Sequence, residues 1–142
     1  WDKTDFIIVD LPPGTADAPL TVMQTIDLDG FLVVTSPQEL SVMVVEKALN
    51  MTKMMEVPLL GAVENMSYVT CPDCGKAIEV FGPSHVKEIE EKFSLPVLGK
   101  FPLDLELSHL GDQGRLEEYK NEELLNALAD GVLEQLGVGV EV

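Results

Sequence analysis

The sequence predicts an α/β fold, with a mostly parallel sheet and helices on both of its faces. Three observations support this prediction. Short, nearly continuous apolar runs recur along the chain, which is typical of strands buried on both faces of a sheet. Longer segments between these runs have apolar residues at helical spacing. Strands and helices therefore alternate, as they do in parallel sheets with right-handed crossovers.

Four segments are predicted strands. The first covers residues 6–9 (FIIV) and is followed by Asp10 and a Pro-Pro-Gly turn. The others are GFLVV, which stops at Thr-Ser-Pro, then VPLLGAVENMS, and last LPVLGKFP. Ligand-binding loops of parallel sheets lie at the carboxyl ends of the strands. The segments DLPPGT, TSPQ, ENMS and FPLD are therefore expected to surround a binding site.

Three segments are predicted helices. The segment PQELSVMVVEKALNMTKMMEVP has apolar residues near helical spacing and should end before Pro58. The segment PSHVKEIEEKFSLP has a narrow apolar face, with Ser84 as the expected N-cap. The segment NEELLNALADGVLEQLG should begin at Asn121 and end at Gly137.

Residues 66–83 interrupt the alternation of strands and helices. They contain the two cysteines of the chain, Cys71 and Cys74, in the sequence TCPDCG. This segment is too irregular for a helix and too broken for a core strand, so we expect a protruding loop or a short hairpin. Two thiolates fill half of a tetrahedral metal site. The residues alone leave open an iron–sulfur cluster, zinc or a metal-free dithiol.

The composition argues against several classes of function. The net charge is −16 with nine basic residues, so a nucleic-acid partner is not expected. No apolar run approaches the roughly 20 residues that cross a bilayer, and the opening WDKTDF does not resemble a signal peptide, so no membrane partner is expected. Two cysteines do not make a disulfide framework, which favours a reducing cytoplasmic location.

The segment DLPPGT suggests a phosphate site. An aspartate that ends a buried strand, here Asp10, can hold Mg²⁺ through water. Gly14 can bring its backbone N–H close to a phosphate because it has no Cβ. The alternative is an ordinary turn from a strand into a loop.

Four segments, in order, carry a resemblance to a known family. They are DFIIVDLPPGTADAPLT, VVTSPQELSVMVVEKALNM, VPLLGAVENMSYVTCPDCG and LPVLGKFPLD. Together they resemble the Mrp/Nbp-type (ApbC-like) iron–sulfur cluster carrier ATPases, MinD-like members of the P-loop NTPase class. The resemblance extends from about Asp5 to Tyr119. It implies an ATP-dependent carrier that holds a 4Fe–4S cluster and passes it to apo iron–sulfur proteins.

The resemblance implies phosphate-side roles for four residues. Asp10 would be the Walker B acid near Mg²⁺, and Gly14 would sense the γ-phosphate of ATP with Thr15 beside it. Asp17 matches a family acid that helps to position the attacking water. The implied catalytic residues are thus Asp10, Gly14 and Asp17.

The resemblance also implies a base site and a metal site. Asn65 would contact the adenine, and Pro102 and Asp104 would belong to the loop that packs on the base. Cys71 and Cys74 match the family motif that holds a bridging cluster between two subunits. In a two-fold homodimer the same patch meets its copy, so two thiolates from each protomer would make four ligands.

One family feature does not occur in the sequence. No G-x-x-x-x-G-K-[ST] phosphate loop is present, although an NTPase of this class needs one. In the family, the strand before that loop comes earlier in the chain and lies in mid-sheet. Residues 1–142 are therefore expected to be the C-terminal portion of a single NTPase domain. They should not hydrolyse ATP alone, and the sheet should leave two strand edges exposed or unpaired.

Two alternatives remain at this point. The first is a non-catalytic zinc-binding interaction module, in which Cys71 and Cys74 from two chains hold zinc. The second is a MinD-like partitioning ATPase that acts at a membrane. The segment NEELLNALADGVLEQLG argues against the second alternative because it lacks the basic residues of a membrane-binding amphipathic helix.

Overall fold

The computed structural model describes residues 3–15 and 17–138. The strands are β1 (Phe31–Thr35), β2 (Leu59–Thr70), β3 (Ala77–Ile78) and β4 (Val97–Pro102). The helices are α1 (Asp17–Thr25), α2 (Glu39–Met54), α3 (Val86–Phe93), α4 (Leu105–Asp112) and α5 (Glu122–Leu136), with a 3₁₀ turn at Leu116–Glu118.

The sheet is mostly parallel and is centred on β2. Strands β1 and β4 each pair with β2 in parallel, and β3 pairs with the far end of β2 in an antiparallel hairpin. Thr35 and Lys100 both lie opposite Glu64 in the register. The parallel part of the sheet therefore ends near Glu64, while β2 continues beyond it into the hairpin.

One face of the sheet packs against α2 and α3. The side chains of Val33 and Ala62 point to this face and join buried residues of both helices. Leu49 and Ile89 are fully buried there, which gives each helix an anchor in the core. The whole cluster comprises Val33, Val42, Val45, Leu49, Ala62, Val86, Ile89, Phe93 and Leu95.

The other face of the sheet packs against α5. Leu98 of β4 lies against Gly131 of α5, where an added Cβ would be 3.4 Å from a Leu98 methyl carbon. Helices therefore cover both faces, as the sequence predicts.

The ends of two helices confirm the expected signals. Helix α5 begins after Asn121, whose side chain accepts a hydrogen bond from the Leu124 backbone N–H, and it ends at Gly137. Helix α2 ends at Met54, before Pro58. The Asn121 cap and the proline that follows α2 are both local signals, which is why the sequence alone predicts these two positions.

The predicted strand at residues 6–9 is wrong for this structure. These residues form no strand, and Ile8 is 93% exposed. Within the described part of the chain, no backbone hydrogen bond joins them to β1, β2 or β4. An apolar run becomes a buried strand only when neighbouring strands pair with it. As expected, β1 pairs with β2 alone among the described strands, so its outer edge is open.

Two further expectations need correction. Ser84 does not cap α3, since the N-cap position is His85 and no side chain caps it. The irregular segment at residues 66–83 also begins later than predicted, because β2 runs to Thr70. Beyond Thr70 the chain forms a short hairpin, which is one of the two arrangements expected for this segment.

None of the helices in residues 3–15 and 17–138 is both long enough and apolar enough to cross a membrane.

Candidate functional site

The two cysteines lie at the tip of the hairpin between β2 and β3. The backbone N–H of Cys71 donates to the Lys76 carbonyl, and the N–H of Gly75 donates back to the Cys71 carbonyl, both at 2.9 Å. Gly75 has a φ of +70°, a conformation that favours glycine. This tight turn brings Cys71 and Cys74 to the same end of the hairpin. Cys74 is exposed, Cys71 is partly exposed, and neither is in a disulfide.

The turn favours the thiolate of Cys71. Hydrogen bonds from the backbone of Asp73 lower the pKa of Cys71, and the backbone and thiol of Cys74 lower it further. The thiolate is the form that binds metals. The local geometry therefore favours the thiolate form of Cys71, and the thiol of Cys74 lies beside it at the surface.

The hairpin also carries apolar side chains that are open to solvent. Ile78 is 47% exposed and Val80 is 50% exposed, and Phe81 and Met66 are also exposed. Exposed apolar surface is typical of protein interaction sites when it is contiguous. Among the described residues, no group of three or more His, Cys, Asp or Glu is arranged to hold a metal ion.

The predicted phosphate-side residues lie along one segment that leads into α1. Asp10 and Thr15 are exposed, and Asp17 is the first residue of the helix. Gly14 has a φ of +88°, and a Cβ placed there would meet no atom within 4 Å. The backbone at Gly14 is therefore open to the approach of a ligand.

The predicted base-side residues lie at the carboxyl ends of β2 and β4. Asn65 lines a cavity of about 200 Å³ together with Phe101 and Leu107, and the rest of its lining is Leu32, Val34, Val63 and Leu128. Asn65 supplies the one amide side chain of an otherwise apolar lining. Its Oδ1 atom accepts a hydrogen bond from the Met66 backbone N–H at 2.9 Å. The structure thus brings Asn65 next to the β4–α4 turn, where Pro102 ends the strand.

Asp104 has a structural role that the sequence did not predict. Its Oδ1 atom caps α4 by accepting from the backbone N–H groups of Glu106 and Leu107, at 2.8 and 3.3 Å. Its Oδ2 atom accepts from the Tyr119 hydroxyl at 2.8 Å. The hydrogen bond from Tyr119, followed by those from the α4 backbone, lowers the pKa of Asp104. Both carboxylate oxygens are therefore engaged within the protein.

A buried polar network at the base of the hairpin is the main feature that sequence reasoning missed. Glu64 is fully buried at the end of the parallel part of β2. Its carboxylate accepts hydrogen bonds from the hydroxyls of Ser67 and Ser84, the latter at 2.8 Å. Lys100 lies 3.7 Å from the same carboxylate and donates to Ser84 Oγ at 2.7 Å. The signal available in the sequence was a glutamate that directly follows the apolar run of a central strand.

Comparison with known proteins identifies the family of the chain. The family model described as NUBPL iron-transfer P-loop NTPase matches residues 1–136. The chain belongs to this family. This match confirms two predictions from the sequence, the resemblance to the iron–sulfur carrier family and the α/β fold class.

Relatives in the NUBPL family are similar to this chain over most of its length. The iron–sulfur cluster carrier protein of Pyrococcus furiosus is 47% identical over 114 residues, which are 80% of this chain and 39% of that protein. The iron–sulfur cluster transfer protein NUBPL of Dictyostelium discoideum is 40% identical, over 81% of this chain and 36% of that protein. The chain thus spans well under half the length of these relatives.

A solved structure supports the fold assignment. The nucleotide-binding protein from Archaeoglobus fulgidus, in complex with ADP and with Co, is 45% identical, with a TM-score of 0.68. The similarity covers 78% of this chain and 45% of that protein. At this level of identity, the similarity supports the P-loop NTPase fold for the described sheet and helices.

Proposed function

We propose that this chain carries an iron–sulfur cluster between Cys71 and Cys74 of two copies and delivers it to apo-proteins. The observation that carries the proposal is the hairpin tip, which presents two free thiols to solvent and favours the thiolate of Cys71. Relatives at 40–47% identity are named iron–sulfur cluster carrier or transfer proteins. A bridging 4Fe–4S cluster needs four such ligands, and each copy offers two.

The surface around the cysteines supports a homodimer. Ile78, Val80 and Phe81 are exposed on the segment that follows the cysteine turn, and a second copy related by a two-fold axis would cover these apolar side chains with its own. The same contact would bring the two cysteine pairs together. Free cysteines of this kind suit a reducing compartment, so we place the carrier in the cytoplasm.

We further propose that nucleotide binds at the carboxyl ends of the strands. The residues present fit an adenine nucleotide in two respects. The backbone at Gly14 is open to a phosphate, and the cavity next to Asn65 offers apolar walls and one amide to a flat base. Asp10, which is exposed, would hold Mg²⁺ through water. When bound, Mg²⁺ neutralises charge on the phosphates.

Within that site, the contacts of Asp104 suit a structural role for its carboxylate. Because both oxygens of Asp104 are already hydrogen-bonded, its carboxylate would hold the β4–α4 turn rather than read the base directly. Asn65 and the backbone at Pro102 would then face the base. Thr15 and Asp17 would lie on the phosphate side, at the start of α1.

We also propose that residues 1–142 make up the C-terminal portion of one NTPase domain. The exposed apolar run at residues 6–9 and the open edge of β1 support this proposal, since a further strand between them would cover both. The isolated chain is then expected to show no ATP turnover. A clear rate of ATP hydrolysis by the purified chain would contradict this part of the proposal.

Anaerobic reconstitution with iron and sulfide tests the carrier function. The chain should turn brown and its mass in solution should double when the cluster forms. Cys71→Ser should abolish both changes, because two chains would then offer two thiolates instead of the four that the cluster needs. Lys76→Ala is the matched control, since it changes an exposed residue of the same hairpin and keeps both thiols.

Three outcomes would change the proposal. A colourless dimer with one zinc ion per two chains would favour the zinc-binding interaction module, because zinc also accepts four thiolates. A metal-loaded chain that stays monomeric would remove the bridging site. Equal metal content in Cys71→Ser and in the unmodified chain would remove the cysteines from the site.

A further inference from the structure

We propose that Glu64 is a positioning residue that holds the cysteine hairpin by both of its ends. Ser67 lies just before the hairpin and Ser84 lies just after it, and the hydroxyls of both donate to the Glu64 carboxylate. One buried carboxylate therefore joins the two points at which the hairpin leaves the protein core. We call Glu64, Ser67, Ser84 and Lys100 the hairpin clamp. This inference rests on the proposed function only in taking Cys71 and Cys74 as the ligand pair.

The centre of the clamp is buried, whereas the hairpin is exposed to solvent. Glu64 is fully buried and Ser67 is 4% exposed. In contrast, every residue from 72 to 81 is exposed. The β2–β3 ladder is only two residue pairs long, Val69 with Ile78 and Thr70 with Ala77. A segment with so few buried contacts does not fix its own direction, so its attachment points must do so.

The chain between Glu64 and Ser67 is shaped to bring the serine back to the carboxylate. Met66 has a φ of +54°, which is an unfavourable conformation for a residue with a side chain. The pairing of β2 with β4 is irregular between Glu64 and Tyr68. Asn65 accepts from the Met66 N–H and stabilises this bend. The bend allows two side chains three residues apart on one strand, Glu64 and Ser67, to meet.

The charge of the clamp is balanced from the neighbouring strand. A buried carboxylate is strongly disfavoured unless it is paired and hydrogen-bonded. Lys100 of β4 lies 3.7 Å from Glu64 and donates to Ser84, so it contacts both the acid and one attachment point of the hairpin. Every buried side-chain nitrogen and oxygen in the described residues has a partner. All polar groups of the clamp are thus hydrogen-bonded, and the loss of one hydroxyl leaves the Glu64 carboxylate with one hydrogen bond fewer.

A site shared by two chains benefits from this arrangement. Four thiolates must meet at fixed distances, and any freedom of the hairpin is lost when they do so. Fixing the hairpin in advance reduces that loss. The clamp should therefore influence metal binding at cysteines with which it makes no contact.

Ser84→Ala in the 142-residue chain tests the clamp, with Ser84→Thr as the conservative variant that keeps the hydroxyl. In the metal-free protein, amide hydrogen exchange of residues 68–83 should become about tenfold faster in Ser84→Ala, as expected for the loss of a hydrogen bond to a charged group. Exchange in α2 and α5 should not change, and Ser84→Thr should restore the slow rate. Ser67→Ala should give the same pattern from the other end of the hairpin.

Glu46→Ala is the matched control. Glu46 forms a carboxylate–lysine contact of 2.7 Å with Lys92 on the α2–α3 surface, away from the hairpin. This variant should leave exchange at residues 68–83 unchanged. Titration with Co²⁺ alone, followed by the thiolate-to-metal absorption band, should show weaker binding to Ser84→Ala by about tenfold. The control and Ser84→Thr should bind as the unmodified chain does.

The outcomes separate the clamp from the proposed function. Unchanged exchange at residues 68–83 in both serine variants would overturn the clamp, and so would faster exchange spread equally over α2 and α5. If the unmodified chain binds no Co²⁺, the proposed metal site fails. The exchange experiment then still decides whether Glu64 positions the hairpin.

Discussion

Asp104→Ala is expected to destabilise the fold through two separate losses. The carboxylate caps α4 through the Glu106 and Leu107 N–H groups, and removal of such a cap typically costs about 1 kcal/mol. The same carboxylate accepts from the Tyr119 hydroxyl, and a hydrogen bond to a charged group contributes roughly 1.5–3 kcal/mol. Since Tyr119 is 9% exposed and its hydroxyl also accepts from Asn121, we take the lower end. The free energy of unfolding should fall by about 2–3 kcal/mol.

Urea unfolding followed by circular dichroism provides the measurement, with two variants that separate the losses. Tyr119→Phe removes only the hydroxyl and should cost about 1.5 kcal/mol. Asp104→Asn keeps a good N-cap residue and should also cost about 1 kcal/mol or less, since Asn and Asp are similar caps. In the double variant Asp104→Ala/Tyr119→Phe, the two costs should not add, because the same hydrogen bond is lost in each.

The effect of pH gives an independent check on the role of the charge. The pKa of Asp104 is lower in the folded state, chiefly because Tyr119 donates to the ionised form. The stabilisation is therefore fully present above the pKa of an unfolded aspartate, about 3.9, and is lost as the pH falls through the lower folded pKa. The difference between the unmodified chain and Asp104→Asn should shrink below about pH 4. A difference that stayed constant to pH 2, or an Asp104→Ala cost under about 0.5 kcal/mol, would refute this account.

Three further predictions concern the α2–α3 face and the central strand. Ser94 ends α3 with a φ of +54°, so Ser94→Gly should stabilise the fold by about 0.5–1 kcal/mol in thermal unfolding; a lower melting temperature would contradict this. Gly61→Ala would place a Cβ 2.4 Å from Leu98 Cγ and should cost about 1–3 kcal/mol, whereas Gly99→Ala, with its nearest atom at 3.5 Å, is the control and should cost less. Glu88, which contacts His85 at 2.9 Å, is the main cause of the raised pKa of His85, so Glu88→Gln should lower that pKa in an NMR titration. Because that pKa is raised in the folded state, the contact stabilises the fold below the ordinary histidine pKa and loses this effect as the pH rises; an unchanged His85 titration in Glu88→Gln would show that another group is responsible.

The sequence predicted the type of most elements because the signals for them are local. The apolar run of β1 and the helical spacing in α2 and α5 each depend on a few neighbouring residues. The cap at Asn121 is local as well. Helices α1 and α4 were not predicted, and both are short and follow turn-forming residues. For the cysteine segment, the irregular pattern predicted a protruding loop or a short hairpin, and the structure has the hairpin.

The tertiary structure decided what each polar residue does. Serine is a favoured residue at helix N-caps, yet the Ser84 hydroxyl donates a hydrogen bond to Glu64, which is 20 residues away in the chain. Asp104 was expected in the loop that packs on a base, and the structure adds that its carboxylate caps α4 and accepts from Tyr119. Such partners depend on which strands become neighbours, and no local pattern records that.

The sequence by itself determined an α/β chain of the iron-transfer P-loop NTPase family with one pair of thiols. Burial and pairing came from the tertiary structure, because they require groups that are distant in sequence to meet. Residues 6–9 are as apolar as β1, yet they are exposed whereas β1 lies in the sheet. The difference is that β1 pairs with β2, and no described strand pairs with residues 6–9. Glu64 in the central strand accepts hydrogen bonds from Ser67 of the same strand and from Ser84, 20 residues away, and Lys100 of β4 lies beside its carboxylate.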